Sequence, residues 1–464
     1  MNNNSVDNIT SVRKFGMRDK IGYLLGEFGN DFMFMMPTAF LMLYYTDILS
    51  ISPAAVGIVL IVAKVWDAFA DVLVGRFVDL RPSTKNGRFK PWMLRFAPFL
   101  VISFILMFTR IPNISDNVTV IYGFATYLIW GTLYSAVNIP YGSMASVITS
   151  DPIERASLST FRSMGSAVAI AGIMAIVPAL IFVNNRPNAD RFFMAAIVLG
   201  MLAMLSYLAC YKLITERVTQ AQNSNNKPKL KLSTTLKEIV KNRPFVGLIC
   251  ASIVILLSQM ITTALNAYLF KDYFHNTAAM SISGMIILLN IVIVAPAISP
   301  LSKKFGKKEM ASGGLLVSSI LSFAIFLIPI QNAFIFVILN YVASLGYNLF
   351  YFTTWAFVTD CIDYQEYRTE SRDDGTIYSI YSFTRKIAQA IAGGLGAFVL
   401  GVIGYAVKAP EQTAEVAAKI RTVALLTPAI SYFVVFLIMT FVYTMNKEAL
   451  TEIHDELERR RAGK

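Results

Sequence analysis

Asp67 and Asp71 stand four residues apart within one apolar segment, with Lys64 one turn before them. Offsets of three and four put all three on one face of a helix. Two carboxylates side by side in lipid repel unless a cation or a proton lies between them, which is the chemistry of a site that takes up and releases Na⁺ or H⁺. Glu27 and Asp31 repeat the four-residue spacing in the preceding apolar segment, about 40° apart around a helix. Arg162 and the adjacent Arg385 and Lys386 add three cations in later apolar segments. Each charge at the bilayer centre costs about 2.5–3.5 kcal/mol on insertion scales, so a chain that keeps these eight must house them in a polar cavity or pair them. Ion pairs that only fix helix packing are the structural alternative for any single one, Glu27 and Lys64 included. That alternative fits Asp67 and Asp71 least, because their charges are alike.

The elements that position these groups follow from composition. Of 464 residues, 55% are hydrophobic and only 15% charged, against roughly a quarter charged in soluble chains. Twelve apolar stretches, each near the length needed to cross a bilayer, lie between Ile21 and Tyr443. Disordered, collagen-like and disulfide-scaffold classes are excluded. Three cysteines leave one unpaired, and two histidines, His275 and His454, exclude a histidine-built metal site. The net charge of +12 is concentrated at the termini and after even-numbered stretches, as at Lys85, Arg88 and Lys90 and at Lys303, Lys304, Lys307 and Lys308. By the positive-inside rule this makes the excess a marker of topology rather than of nucleic-acid binding, with both termini cytoplasmic.

The polar segment 216–244 divides the stretches six and six. The expectation is an all-α membrane protein of the major facilitator superfamily fold: a six-helix bundle over 1–215, a cytoplasmic linker over 216–244, a second six-helix bundle over 245–445 and a cytoplasmic tail over 446–464. Leu450, Ile453 and Leu457 give the tail one apolar face, read as that of a solvated or interfacial helix. Asp-x-x-x-Asp also suits Mg²⁺-diphosphate in an intramembrane prenyltransferase, the enzyme alternative. Such a site needs a second acidic motif, and Asp360-x-x-Asp363, expected in a loop after the tenth stretch, is the one candidate. A non-transporting membrane sensor is a further alternative.

Five motifs together resemble the glycoside-pentoside-hexuronide:cation symporters, the family of melibiose permease. They are Gly29-Asn-Asp31-Phe, Trp66-Asp-Ala-Phe-Ala-Asp71, Asn86-Gly-Arg-Phe-Lys-Pro-Trp92, Asn138-Ile-Pro-Tyr141 and Asp360-Cys-Ile-Asp-Tyr-Gln-Glu366. The resemblance runs along nearly the whole chain. It implies a sugar site at Asp31 and Arg162 with Lys386 near it, and a cation site at Asp67 and Asp71 aided by Ser135. The galactoside-transporting branch carries Asp where this chain has Asn138, Trp where it has Gly142 and an apolar residue where it has Arg385. These departures move the cavity toward positive charge and favour an anionic ligand. The stretches around Asp67, Asn138 and Ser382-Phe-Thr-Arg-Lys386 are most similar to the glucuronide carriers, Val72 replacing the usual Pro as in that branch.

The expected function is therefore cation-coupled symport of a glycoside, a glucuronide or other uronide, by alternating access. Tyr134, Asn138, Tyr141, Tyr351, Tyr378, Ser382 and Arg385 join Asp31, Arg162 and Lys386 in contacting the sugar. If Arg385 instead pairs with a carboxylate on a neighbouring helix, the cargo is a neutral pentoside or hexoside. No cofactor is expected beyond the coupling ion, H⁺ or Na⁺, the latter at Asp67 and Asp71. The partners are the sugar, the cation and the lipid bilayer, without nucleic acid, and the chain is expected as a monomer in a bacterial inner membrane.

Overall fold

The computed structural model describes residues 13–80, 84, 87–149, 151–217, 241–286, 288–370, 374–407, 409 and 411–462, with some side chains excepted. Six helices form the first half: α1 (Met17–Leu43), α2 (Pro53–Leu80), α3 (Phe89–Met107), α4 (Asp116–Ile148), α5 (Pro152–Ile181) and α6 (Ala189–Leu213). The second half holds α7 (Arg243–Tyr268), a pair α8 (Thr277–Ile286) and α9 (Leu289–Phe305), then α10 (Lys307–Leu327), α11 (Ala333–Thr369), α12 (Asp374–Val402) and α13 (Ala414–Leu437). A tail helix, α14 (Lys447–Ala462), follows. The expected linker falls for the most part on 218–240, outside the described residues.

Two departures from the sequence reading change the element list. The eighth apolar stretch is two helices, one ending at Ile286 and the next starting at Leu289, and Asn290 near that start accepts from Asn348 Nδ2 of α11 at 3.2 Å. The tenth continues as helix through Thr369, so Asp360 and Asp363 lie on the last turns of α11 rather than in a loop.

Among the described residues, eight helices are long and apolar enough to cross a membrane by length and composition. α1, α2 and α12 are not among them, and they are the helices that carry Glu27 and Asp31, Lys64, Asp67 and Asp71, and Arg385. Polar helices in lipid turn inward, where neighbouring helices replace water. The outer surface is accordingly apolar, with Ile121, Val292 and Phe383 among its exposed side chains.

Within the first half α1 packs on α5 and α6, and α3 on α4 and α6; within the second, α10 packs on α11 and α13, and α7 on α12 and α13. The halves meet through α2 with α12, α5 with α8 and α1 with α7. Glycines permit the first two seams: a Cβ on Gly394 would lie 2.5 Å from the Gly57 carbonyl oxygen, and one on Gly284 would lie 2.4 Å from the Met174 carbonyl carbon.

α1 and α7, the first helix of each half, end alike. Each closes in a five-residue π-turn, Tyr44–Ile48 and Leu269–Tyr273. The following bonds match across an offset of 225 residues: Leu49 and Phe274 donate to the carbonyls of Tyr44 and Leu269, and Ile51 and Asn276 to those of Tyr45 and Phe270. Ser50 and His275, with φ of 58° and 49°, make the same left-handed kink. These twin turns face each other. Lys271 pairs with Asp47 and donates to the Tyr405 hydroxyl at 2.7 Å, which donates to Asp47 Oδ1 at 2.9 Å. Thr46 and Tyr268 hydroxyls bond at 2.8 Å. Between α5 and α6 a two-residue hairpin, β1 (Phe182–Val183) with β2 (Arg186–Pro187), turns through Asn184 and Asn185 at positive φ. The Asn185 amide then donates to the Lys271 carbonyl at 2.9 Å, adding a bond between the halves.

The opposite end, where the basic loops lie, is bonded differently. Asp19 binds Arg13 at 2.6 Å and Arg217 at 2.8 Å; Glu216 accepts the backbone N–H groups of Arg88, Phe89 and Lys90 at 2.7–3.0 Å and so caps α3. The Asn242 amide donates to the Cys361 carbonyl and to Gln365, and Lys307 pairs with Asp360 at 2.5 Å. Every one of these bonds stays within one half. α14 also stays within its half: Leu450, Ile453 and Leu457 are buried against α11, His454 approaches Asp363 at 3.4 Å, and Arg460 donates to the Tyr367 carbonyl. The tail helix is thus docked on protein rather than solvated.

Candidate functional site

A cavity of about 290 Å³ lies between the halves. α2 contributes Lys64, Asp67 and Asp71 to its wall, one above another as their spacing requires. α4 contributes Tyr127, Trp130, Tyr134, Ser135 and Asn138; α1 contributes Phe34, Pro37, Thr38 and Met42. The second half closes it with Met260 of α7 and with Gln389 and Ala392 of α12. Five of the expected site residues, Asp67, Asp71, Tyr134, Ser135 and Asn138, therefore meet in one chamber together with Lys64.

Around Asp67 the packing is close. Lys64 Nζ lies 3.2 Å from Asp67 Oδ2 and over the rings of Phe34 and Tyr127, 5.6 and 5.9 Å from their centroids. Asp67 Oδ1 is buried with no hydrogen-bond partner. It rests against Gly131 of α4, where a Cβ would lie only 2.1 Å from it. Trp66, the preceding residue, points the other way, and its indole N–H donates to the Thr132 hydroxyl at 2.9 Å.

The acidic residues of α1 form a second group, outside that wall and nearer the basic end. Arg162 Nε lies 3.0 Å from Glu27 Oε2, with the guanidinium 5.3 Å from the Tyr141 ring centroid. Asp31 is buried, and its Oδ2 has no hydrogen-bond partner. An unbonded carboxylate oxygen in such a place is costly, and a sugar hydroxyl is a donor that satisfies it. Over Arg162 the space is open: a Cβ on Gly142 would meet only Arg162 Nη1, at 4.0 Å. Tyr134, within electrostatic reach of Glu27, Asp31 and Asp71, stands between the two groups. Its ring stacks on Phe34 and Trp130.

Tyr141 has a different place from the one expected. It is fully buried, stacked on Tyr23 at 4.7 Å, and its hydroxyl donates to the Tyr23 carbonyl at 2.6 Å. That ring braces α1 against α4 and orients Arg162; it does not line the chamber.

On the second half Arg385 lies over the rings of Trp355 and Tyr381, 5.7 and 5.9 Å from their centroids, and the Tyr381 hydroxyl is shared with Ser252 at 2.8 Å. Among the described residues Arg385 has no carboxylate partner, so the ion pair that would have tied it to a neighbouring helix is not formed there. It precedes Gln389, a wall residue, by one turn of α12 on the same face. Tyr351 is exposed, 5.9 Å from Tyr347, and is not one of the wall residues. The side chains of Tyr378, Ser382 and Lys386, all on α12, lie outside those described.

Sequence reasoning missed Gln389, Tyr127, Trp130 and Gly131. For Gln389 a signal existed, its four-residue offset from Arg385; for Gly131, whose role is the room it leaves, there was none.

Asp360 and Asp363 are engaged by Lys307 and His454 at the basic end of α11, on the other half from Asp67 and Asp71. Two acidic motifs on one diphosphate, as the enzyme alternative needs, are not brought together.

Residues 22–447 match the family model described as MFS/sugar transport protein. The chain is 32% identical over 462 residues to the Bacillus subtilis protein named uncharacterized symporter YjmB, with 98% of each chain covered. It is 31% identical over 453 residues to the Escherichia coli glucuronide carrier protein homolog, with 97% of each covered. Among solved structures, nucleoside transporter NupG is similar in fold, with a TM-score of 0.60 at 15% identity over 93% of this chain and 99% of that one.

Proposed function

Because the chain belongs to the MFS/sugar transport family, that of the glycoside-pentoside-hexuronide:cation symporters, we propose that its cargo is an anionic glycoside, a glucuronide or another uronide. The protein is a multi-pass membrane symporter of a sugar and a cation, not an enzyme. What carries the finer reading is Arg385. Its guanidinium lies across two aromatic faces with no carboxylate among the described residues, one turn from the chamber wall. A stacked guanidinium still presents N–H groups at its edge, and these match a carboxylate in two parallel hydrogen bonds.

In this reading Asp31 accepts hydrogen bonds from sugar hydroxyls and Arg162, steered by Glu27 and Tyr141, lies beside the ring. Asn138, Tyr134 and Gln389 offer neutral polar contacts, and Lys386 stands next to Arg385 in the chain. The coupling ion belongs at Asp67 and Asp71 with Ser135. The chain sits in a bacterial inner membrane with its basic end cytoplasmic, and the described bonds between halves lie at the far end, as in a carrier open to the cytoplasm. One cation falling through about 100 mV releases roughly 2.3 kcal/mol, enough for about fiftyfold accumulation of a neutral cargo. A monoanion carried with one cation moves no net charge, so its uptake draws on the ion gradient alone.

The test is substrate preference in proteoliposomes. Arg385→Gln removes a charge-assisted contact worth about 1.5–3 kcal/mol, so uronide counterflow should weaken about 10- to 100-fold while neutral glycosides change little. Equal loss for both classes refutes the anionic reading.

A further inference from the structure

We propose that Asn185 is a latch between the two halves, a single side-chain amide that holds the sealed end shut and lets it open when its bonds are released. The inference rests on the reading that this end is the outer mouth of the carrier, and it names a residue that governs how often that mouth opens.

The hairpin between α5 and α6 carries Asn184 and Asn185 at its tip, with φ of 49° and 62°. Asn enters the left-handed region more readily than most residues, which suits it to a two-residue turn of this kind. The base of the hairpin is fixed on the first half. The Asn188 N–H donates to the Ile181 carbonyl at 3.0 Å, and the Asn188 side chain caps α6 by accepting from the Arg191 N–H at 3.1 Å. From this support the Asn185 amide reaches the second half with both of its polar atoms. Nδ2 donates to the Lys271 carbonyl at 2.9 Å, and Oδ1 accepts from the Thr277 N–H at 3.1 Å. Thr277 opens α8, and the first N–H groups of a helix have no partner within it. A side chain of the first half thus supplies a cap to a helix of the second.

Lys271 is therefore gripped twice from the first half, by Asn185 at its carbonyl and by Asp47 at its ammonium. The position of Asn185 along the helices makes its bonds sensitive to opening. α5 and α8 cross backbone against backbone at Met174 and Gly284. Ile181, the last residue of α5, and Thr277, the first of α8, each lie seven residues from that crossing, about 10 Å along the helix. Helices that tilt about a tight crossing separate most at their ends. Opening the mouth thus breaks both bonds of Asn185 while the crossing stays packed. Loss of two neutral hydrogen bonds shifts the balance between open and closed by about ten- to thirtyfold.

The experiment reads the rate at which a membrane-impermeant maleimide modifies the chamber-wall substitution Thr38→Cys, in right-side-out and in inside-out vesicles. It compares the chain carrying that substitution alone with the same chain carrying Asn185→Gly or Asn184→Gly. Glycine keeps the left-handed turn in both variants and removes the bridging amide in only one. Asn185→Gly should be modified about ten- to thirtyfold faster from the outside and no faster from the cytoplasmic side. Asn184→Gly should match its parent on both sides. An asparagine needed only for folding would, when removed, loosen the protein and speed modification from both sides alike. The inference is overturned by a monodisperse Asn185→Gly protein modified no faster from either side, by equal gains from both sides, or by the same gain in Asn184→Gly. Failure of the orientation reading looks different: the gain then comes from the cytoplasmic side alone, and the latch stands.

Discussion

Gly131→Ala places one methyl group where the structure leaves room for none. The added Cβ would lie 2.1 Å from Asp67 Oδ1, 3.1 Å from its Cγ and 3.4 Å from Oδ2. Ordinary contact begins near 3.4 Å, so Oδ1 must retreat by about 1.3 Å. The Asp67 side chain can swing only toward Lys64 and the chamber, disturbing the 3.2 Å ion pair. Displacement of a positioned group by about 1 Å costs on the order of a hundredfold in steps that depend on its placement. Folding should be affected far less: overpacking costs about 1–3 kcal/mol, offset by about 1 kcal/mol of helix propensity gained from Gly to Ala. The assay pairs counterflow, which needs only sugar exchange, with concentrative uptake, which needs the cation. Counterflow should persist while accumulation falls at least tenfold, with the melting temperature within a few degrees of wild type. Full accumulation by a folded Gly131→Ala protein would refute the argument that Asp67 is held by the gap opposite it.

The seal between the twin turns gives a second prediction. Lys271→Gln strands the buried Asp47 and Asp272 carboxylates at a cost of about 3–5 kcal/mol to the closed seal, whereas Asp47→Asn leaves Lys271 beside Asp272 and costs less; a cysteine at Thr38 should then react with an impermeant reagent from the sealed side faster in Lys271→Gln than in Asp47→Asn, and no gain in Lys271→Gln would contradict the role of the seal. For the tail, Ile453→Lys with Leu457→Lys removes two apolar contacts worth about 1.5–3 kcal/mol each, so α14 should be cleaved by protease at least tenfold faster in the intact carrier; equal cleavage rates would mean that the docked face contributes nothing.

The residues show how far a sequence carries the reading. Apolar runs give the helices, and the charges inside them mark which ones turn inward, because lipid leaves no other place for Glu27, Asp67 or Arg385. The broken eighth stretch was not legible: Leu288 and Leu289 are good helix formers, and the tertiary bond from Asn348 to Asn290 lies far away in sequence. Asp360 was expected in a loop because acidic residues rarely continue an apolar helix, yet Lys307 on α10 pays for its burial. For the candidate site, spacing put Lys64, Asp67 and Asp71 on one face. It could not reveal that Asp31 and Arg162 lie outside the same wall, or that the Tyr141 hydroxyl is already taken by a backbone carbonyl. The repeat from Tyr44–Ile48 to Leu269–Tyr273 was hidden because only the aspartates, 47 and 272, match by type; the rest match by backbone bonds.

That repeat is imperfect at one position. Where the first copy has Thr46, the second has Lys271, and this lysine serves Asp47 of the opposite copy while also lying 3.3 Å from Asp272. Asp272 Oδ2 is left without a hydrogen-bond partner. Two carboxylates, one from each half, thus share one ammonium. Parting the halves takes Asp47 away from Lys271 but leaves Asp272 on the lysine's own side, so the ammonium keeps a counterion when the seal comes apart.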